Sequence, residues 1–287
     1  MNGNEWPLVF FTLFSQASWG ILITGGLLLV AKQQLGLSAE PLRMLTAFSL
    51  VLMGLALLLS FLHLSRPHIS VYSLHNLGSS WLSREIVFAL GFFSLLVLAF
   101  VLMRFKLAKP GVPTLAYVAA CVAGFLLVFS MVRLYMIPTV PSWNHPGTPL
   151  SFFNSSLLLG GILSLLALVY MAHRGPVIPG MAGLTKILLI VVLAGAIIHM
   201  GHLFIGWGRP IAETGSFPPP QLPAVFRYLQ MVFLLVGILF LLAWNGLGGG
   251  SPFWGHPVWV GLAAGGFFMA ELLGRWLFYA SYYRLGV

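Results

Sequence analysis

Residues 84–104 read REIVFALGFFSLLVLAFVLMR, an apolar run whose charges all sit at its two ends. At about 1.5 Å per residue, a helix of about 20 residues crosses the hydrocarbon core of a bilayer, so this run is long enough to span one. A membrane barrel strand needs only about 10 residues and alternates apolar with polar side chains. The run does neither, and outside a closed barrel only a helix satisfies its own backbone in lipid. The same signature recurs along the chain. Eight spans emerge, at Pro7–Ala31, Met44–Leu64, Arg84–Arg104, Thr114–Ile137, Ser151–His173, Thr185–Trp207, Phe226–Asn245 and Pro257–Tyr279. The fold class is therefore all-α, a polytopic membrane bundle of eight transmembrane helices, with residues 1–287 forming a single integral membrane domain.

Composition agrees. Of the 287 residues, 59% are hydrophobic and 7% charged, against about 25% charged in soluble domains. A soluble globular enzyme, a disordered chain and a nucleic-acid binder are excluded. The 14 Lys and Arg outnumber the 5 acids, none of them Asp, but these cations punctuate span ends, where they act as topology signals and headgroup contacts. Seven of the nine tryptophans lie in or near span ends, as an interfacial aromatic belt requires. The opening MNGNEWP lacks a basic stretch and a small-residue cleavage pattern, so the first run reads as a retained helix. The lone Cys121 reads as packing, and Gly261 with Gly265 reads as a close-packing GxxxG.

An even number of spans puts both termini on one side, the terminal face, together with the 2–3, 4–5 and 6–7 connections. Lys32, Arg43, Arg104, Lys106, Lys109, Arg174 and Lys186 fall on the opposite face, including all four lysines. The positive-inside rule makes that face cytoplasmic. In a Gram-negative inner membrane the terminal face, with both termini, is then periplasmic. Its connections are the longer ones and are rich in Pro, Gly, Ser and Trp, including PTVPSWNHPGTPL, which reads as a docking surface or as linkage between tilted helices.

Ionisable residues inside the spans are one-sided. His63, Arg84, Glu85, Arg133, His199, His202, Glu271 and Arg275 all fall in the half of the membrane next to the terminal face. An ion carrier needs polarity through both leaflets; a pocket entered from the lipid and opening to one side needs it in one. Such a pocket suits a lipid-soluble quinol, which loses two electrons and two protons on oxidation. His63 is placed to accept a hydroxyl proton and Glu85 to pass it to water, because the hairpin of spans 2 and 3 brings them to one end. Arg66 and Arg84 are candidates to hold Glu85 charged. The competing reading has His63 and Arg66 capping a helix end at the headgroups. His199 and His202, three apart, read as packed or hydrogen-bonded histidines ahead of haem ligands. Glu271 and Arg275 read as an i, i+4 ion pair, and Arg133 as a partner of Glu85 or Glu271.

HLSRPHISVYSLHNLGSSWLSREI, His63 to Ile86, carries a further signal, together with NEWPLVFFTLFSQ, RLYMIPTVPSWNHPGTPLSFF and AELLGRWLFY. In these segments the chain resembles the DmsC-type membrane anchor subunits of dimethyl sulfoxide reductases, which are related to polysulfide-reductase-type anchors. The resemblance implies a three-part complex: a molybdopterin catalytic subunit, an electron-transfer subunit with four [4Fe–4S] clusters, and this chain as an anchor that oxidises menaquinol, with no haem or metal of its own. It places the quinol-site histidine at His63 and the nearby acid at Glu85. Ser65, Arg66 and Arg84 then complete the quinol site. Ser65 stands where the family has Gly, Ile69 where many members have Arg, and IIHMGHLFIGW in span 6 differs from the family. Rival readings are a haem-b or polysulfide-reductase-type quinone anchor and a secondary transporter.

Overall fold

The computed structural model describes residues 6–35, 39–63, 75–109, 111–174, 181–207, 224–247 and 256–282, with backbone alone at 31–35, 63, 181, 205–207 and 247. Eight helices account for it: α1 (Trp6–Leu35), α2 (Glu40–His63), α3 (Trp81–Phe105), α4 (Val112–Tyr135), α5 (Gly147–Arg174), α6 (Met181–Trp207), α7 (Ala224–Leu247) and α8 (Pro257–Ala280). All eight are long and apolar enough to cross a membrane, and no strand occurs among the described residues. Several helices begin a few residues before the apolar run does. Ser80 caps α3, its hydroxyl accepting from Ser83 N at 3.3 Å. The His256 imidazole caps α8 ahead of Pro257, which sits where no intrahelical N–H is needed.

α1 and α5 form the centre. Buried residues make up 67% and 61% of their apolar windows, against 22% for α3, which faces outward. The two central helices meet at glycine. A methyl group on Gly20 would run into the Ser156 carbonyl, and one on Gly160 into the Gly20 backbone. Lipid offers no hydrophobic force between helices, so this close approach supplies the van der Waals contact that holds them. Other ties to α1 are polar. The Ser18 and Ser49 hydroxyls are 2.9 Å apart, Trp19 Nε1 donates to Cys121 O at 3.0 Å, and the Tyr117 hydroxyl donates to Leu22 O. α7 and α8 also approach through glycine, but through Gly237 and Gly266. A methyl group on Gly265 would meet nothing within 4 Å, and one on Gly261 only the tip of Leu166, so the GxxxG reading of these two is wrong. The side of α8 that faces α7 is one residue round the helix from the motif.

The 4–5 connection is bound to the fold. Trp143 is buried, donates through Nε1 to Phe278 O at 2.7 Å, and stacks on the Phe278 ring at 5.2 Å. Ser142 donates to Ser281 O at 2.8 Å and Thr148 to Trp143 O at 2.6 Å. This segment therefore straps the start of α5 to the end of α8.

Candidate functional site: two buried carboxylates in one leaflet

α2 ends at His63 and α3 starts at Trp81, so the hairpin brings His63 and Glu85 to the same end of the bundle. The His63 side chain, Ser65 and Arg66 lie outside the described residues. Glu85 does not. It is 5% exposed, and its Oε2 has no hydrogen-bond partner among the described residues. Of the cations assigned to it from sequence, Arg84 and Arg133 go elsewhere. Arg84 donates through Nε to Leu77 O at 2.8 Å and through Nη2 to Gly78 O at 2.6 Å, with its guanidinium 4.3 Å from the Trp81 ring centre. Arg133 is exposed and sits 5.4 Å from the same ring. Successive residues on a helix point about 100° apart, so Arg84 turns to the loop while Glu85 turns inward. Neither Arg84 nor Arg133 forms an ion pair with a carboxylate among the described residues.

A pair of tyrosines lies in the same end of the bundle as Glu85. The Tyr135 and Tyr279 hydroxyls are 2.6 Å apart, within an aromatic box that includes Trp143, Phe152 and Phe278. Both lie within electrostatic reach of Glu85 and of Arg275.

Arg275 opens the second polar set, where five helices converge. Its Nη2 donates to Gln16 Oε1 on α1 at 2.8 Å and lies 3.5 Å from Ser155 Oγ on α5. Its guanidinium carbon is 3.9 Å from the Phe152 ring centre. Ser155 donates to Glu271 Oε2 at 2.6 Å. Glu271 Oε1 is 2.8 Å from His199 Nδ1 on α6, and His199 Nε2 is 3.0 Å from Gln230 Nε2 on α7. The direct Glu271–Arg275 ion pair read from their spacing is not formed: the two bridge through Ser155, and each turns to a different helix. His199 is a hydrogen-bonded core histidine, with both ring nitrogens held by protein partners.

All of these groups sit in the half of the bundle next to the terminal face. In the other half the buried polar side chains among the described residues are neutral. Thr24, Thr46 and Thr185 donate to carbonyls of their own helices, at Gly20, Leu42 and Ala182, and Arg104, Lys106, Lys109, Arg174 and Lys186 lie in the outer turns or beyond.

A family model described as the DMSO reductase anchor subunit (DmsC) matches residues 1–280. The chain belongs to the DmsC family. As a DmsC-family member it is a membrane anchor of a dimethyl sulfoxide reductase complex, an oxidoreductase. It is 30% identical to the C subunit of the anaerobic dimethyl sulfoxide reductase of Escherichia coli K12, over 99% of this chain and 97% of that one. The anaerobic dimethyl sulfoxide reductase subunit YnfH of the same organism is 28% identical, over 83% of this chain and 82% of its own length. The C subunit of the Haemophilus influenzae anaerobic dimethyl sulfoxide reductase is 23% identical, over 99% and 96%.

Sequence reasoning within this DmsC-family chain missed Gln16, Ser155 and Gln230, the uncharged members of the second set. Their signal was present: Gln and Ser several residues inside apolar runs, where an unpartnered polar group costs about 1–3 kcal/mol.

Proposed function

We propose that this DmsC-family anchor is the quinol-oxidising subunit of its complex, in a bacterial inner membrane with both termini periplasmic. Menaquinol enters from the lipid on the terminal-face side. It donates a hydroxyl hydrogen bond to His63 and gives up its two protons through Glu85 to the terminal face. Two electrons leave to a docked iron–sulfur subunit with four [4Fe–4S] clusters and go on to a molybdopterin subunit, where the terminal acceptor is reduced. Ser65 and Arg66 line the quinol headgroup. Arg84, fixed on the Leu77 and Gly78 carbonyls, holds the chain entering α3 so that Glu85 faces inward. The subunit carries no haem in this reading and moves no proton across the bilayer.

One observation supports this most: Glu85 is buried in the terminal leaflet with an oxygen left without a partner among the described residues. A carboxylate that only stabilised the fold would be paired or hydrogen-bonded. One that takes protons from a visiting hydroxyl needs a free lone pair.

The test compares His63→Ala and Glu85→Gln with wild type in the purified complex. Quinol-dependent turnover is expected to fall by roughly 100-fold or more, the usual loss when a general base is removed. Dye-driven reduction of the acceptor and subunit stoichiometry are expected to hold. Wild-type quinol oxidation in both variants would remove these residues from the reaction.

A further inference from the structure

Two arginines share one indole at the terminal-face end of α3 and α4. The Arg84 guanidinium lies 4.3 Å from the Trp81 ring centre, and the Arg133 guanidinium lies 5.4 Å from the same centre. Arg84 comes from the ring's own helix, and Arg133 from the last turn of α4. Each cation is attracted to the ring, but gathering two like charges there works against the attraction. A carboxylate between them would settle the repulsion. Among the described residues none does: Glu85 and Glu271 are buried, and Glu40 lies at the opposite face with Arg43. A guanidinium also carries five N–H donors. Arg84 spends two on the Leu77 and Gly78 carbonyls, and Arg133 donates none to a described residue.

Arg133 stands at the end of an exposed apolar stripe. Val122, Phe125 and Phe129 precede it at steps of three and four residues, so the four share one face of α4. Val122 is 54% exposed, Phe125 44% and Phe129 38%, in a helix long and apolar enough to span the membrane. The Phe125 and Phe129 rings stack at 6.3 Å, and Trp81 meets Phe129 edge-on at 5.8 Å. An aromatic track at acyl-chain depth therefore leads to a pair of unpaired cations at headgroup depth.

We propose that Arg84 and Arg133, gathered on Trp81, bind the phosphate of an anionic phospholipid whose acyl chain lies along Phe129 and Phe125. A phosphodiester presents two non-bridging oxygens to planar guanidinium forks, and each contact is charge-assisted. Its negative charge removes the repulsion between the two cations. A zwitterionic headgroup would bring an ammonium to a place with no exposed described carboxylate to receive it, so a lipid with net negative charge is preferred. An arginine in a last helix turn complements the helix dipole, and a long cationic side chain at a span end reaches water unaided. Neither accounts for a second guanidinium on the same ring or for the aromatic track beneath it. A carboxylate of a docked protein would satisfy the same cations, but the stripe runs into the hydrocarbon, where an acyl chain lies and a protein docked above the membrane does not.

The test is native mass spectrometry of the purified complex in mild detergent, titrated with phosphatidylglycerol or phosphatidylcholine. Binding is read without turnover, so the outcome is independent of the quinol-oxidising reading. In Arg133→Gln the tightest-bound phosphatidylglycerol is expected to lose roughly tenfold in affinity, the size of one hydrogen bond to a charged group. Trp81→Leu, which removes the ring that gathers the cations, is expected to lose about as much. Arg133→Lys, which keeps the charge without the fork, is expected to fall between wild type and Arg133→Gln. Phosphatidylcholine is expected to bind wild type and variants alike. Unchanged phosphatidylglycerol affinity in Arg133→Gln and Trp81→Leu would overturn the site. If that affinity is unchanged while Arg133→Gln sheds a partner subunit, the cations dock a protein and the lipid site fails. If it is unchanged while millimolar inorganic phosphate binds wild type and not Arg133→Gln, the site takes a free anion and the lipid site fails as well.

Discussion

Glu85 and Glu271 are both buried in the same leaflet, at 5% and 2% exposure, and the fold treats them in opposite ways. Glu271 receives a hydroxyl from Ser155 at Oε2 and has the His199 imidazole 2.8 Å from Oε1, with a guanidinium one turn along its helix. Glu85 has an oxygen with no partner among the described residues, and the arginine beside it is committed to two loop carbonyls. Taking an ion out of water costs several kcal/mol. For Glu271 that cost is offset by partners from other helices. For Glu85 no such partner stands at Oε2 among the described residues, which fits the proposal that it is kept available to a ligand. The difference separates a group tied into the bundle from one that, on the reading proposed above, is held for use.

The strongest way to break this comparison is to remove one member of the compensated set. Glu271→Leu leaves Arg275 buried with its countercharge gone, and Arg275→Leu does the reverse. Each leaves one buried charge without its Ser155-bridged counterpart and is expected to cost about 3–5 kcal/mol, the usual effect of an uncompensated buried charge, with lower accumulation in the membrane and a lower melting temperature in detergent. The double variant, Glu271→Leu with Arg275→Leu, is expected to be less destabilised than either single one. Equal stability of all three with wild type would mean that Glu271 is no better supported than Glu85.

The fold was legible because each span is far longer than any competing element and is bounded by charge, as residues 84–104 illustrate. What could not be read was rotation of the helices about their axes. Spans that are apolar all round carry little information about which face turns inward. The GxxxG of Gly261 and Gly265 therefore named the wrong residues, and Gly266 packs instead. Glu271 and Arg275 were paired by the local i, i+4 rule, whereas the packed bundle offered each a partner on another helix. The polarity of a single leaflet was visible because it depends only on depth, which sequence position does record.

The helix contact beneath the polar set offers a second, smaller test. Gly160→Val places a branched side chain against the Gly20 backbone, which has no flexible side chain to move aside. Forcing α1 from α5 is expected to cost about 1–3 kcal/mol, the common cost of overpacking. It also separates Gln16 from Arg275, so quinol turnover and stability are expected to fall together. Leu157→Val, on the exposed side of α5, is the control and is expected to change neither measurement.

A double-mutant cycle sharpens the comparison further. Glu271→Gln, His199→Gln and their combination isolate the coupling across the 2.8 Å contact. Residues in direct contact couple by about 0.5–3 kcal/mol. A coupling indistinguishable from zero in thermal melts of the intact complex would show that the imidazole does not support the carboxylate.

The smallest expected effect lies at Glu85, and its sign matters more than its size. Glu85→Gln keeps the shape of the side chain and removes the ionisable group. If the carboxylate stabilised the bundle, the amide would weaken it, as Gln is expected to do at position 271. The unpartnered Oε2 predicts otherwise, because the amide gives up no hydrogen bond or ion pair made at that atom by any described residue. The melting temperature is therefore expected to stay level or rise, by the equivalent of about 1 kcal/mol or less, in the variant whose quinol turnover is lost. Stability and activity moving in opposite directions at one residue is the mark of a group retained for chemistry. A melting temperature several degrees below wild type, measured on the assembled complex, would mean that a residue of the 64–74 connection already holds Glu85 in place. The two carboxylates would then be serving the same structural role.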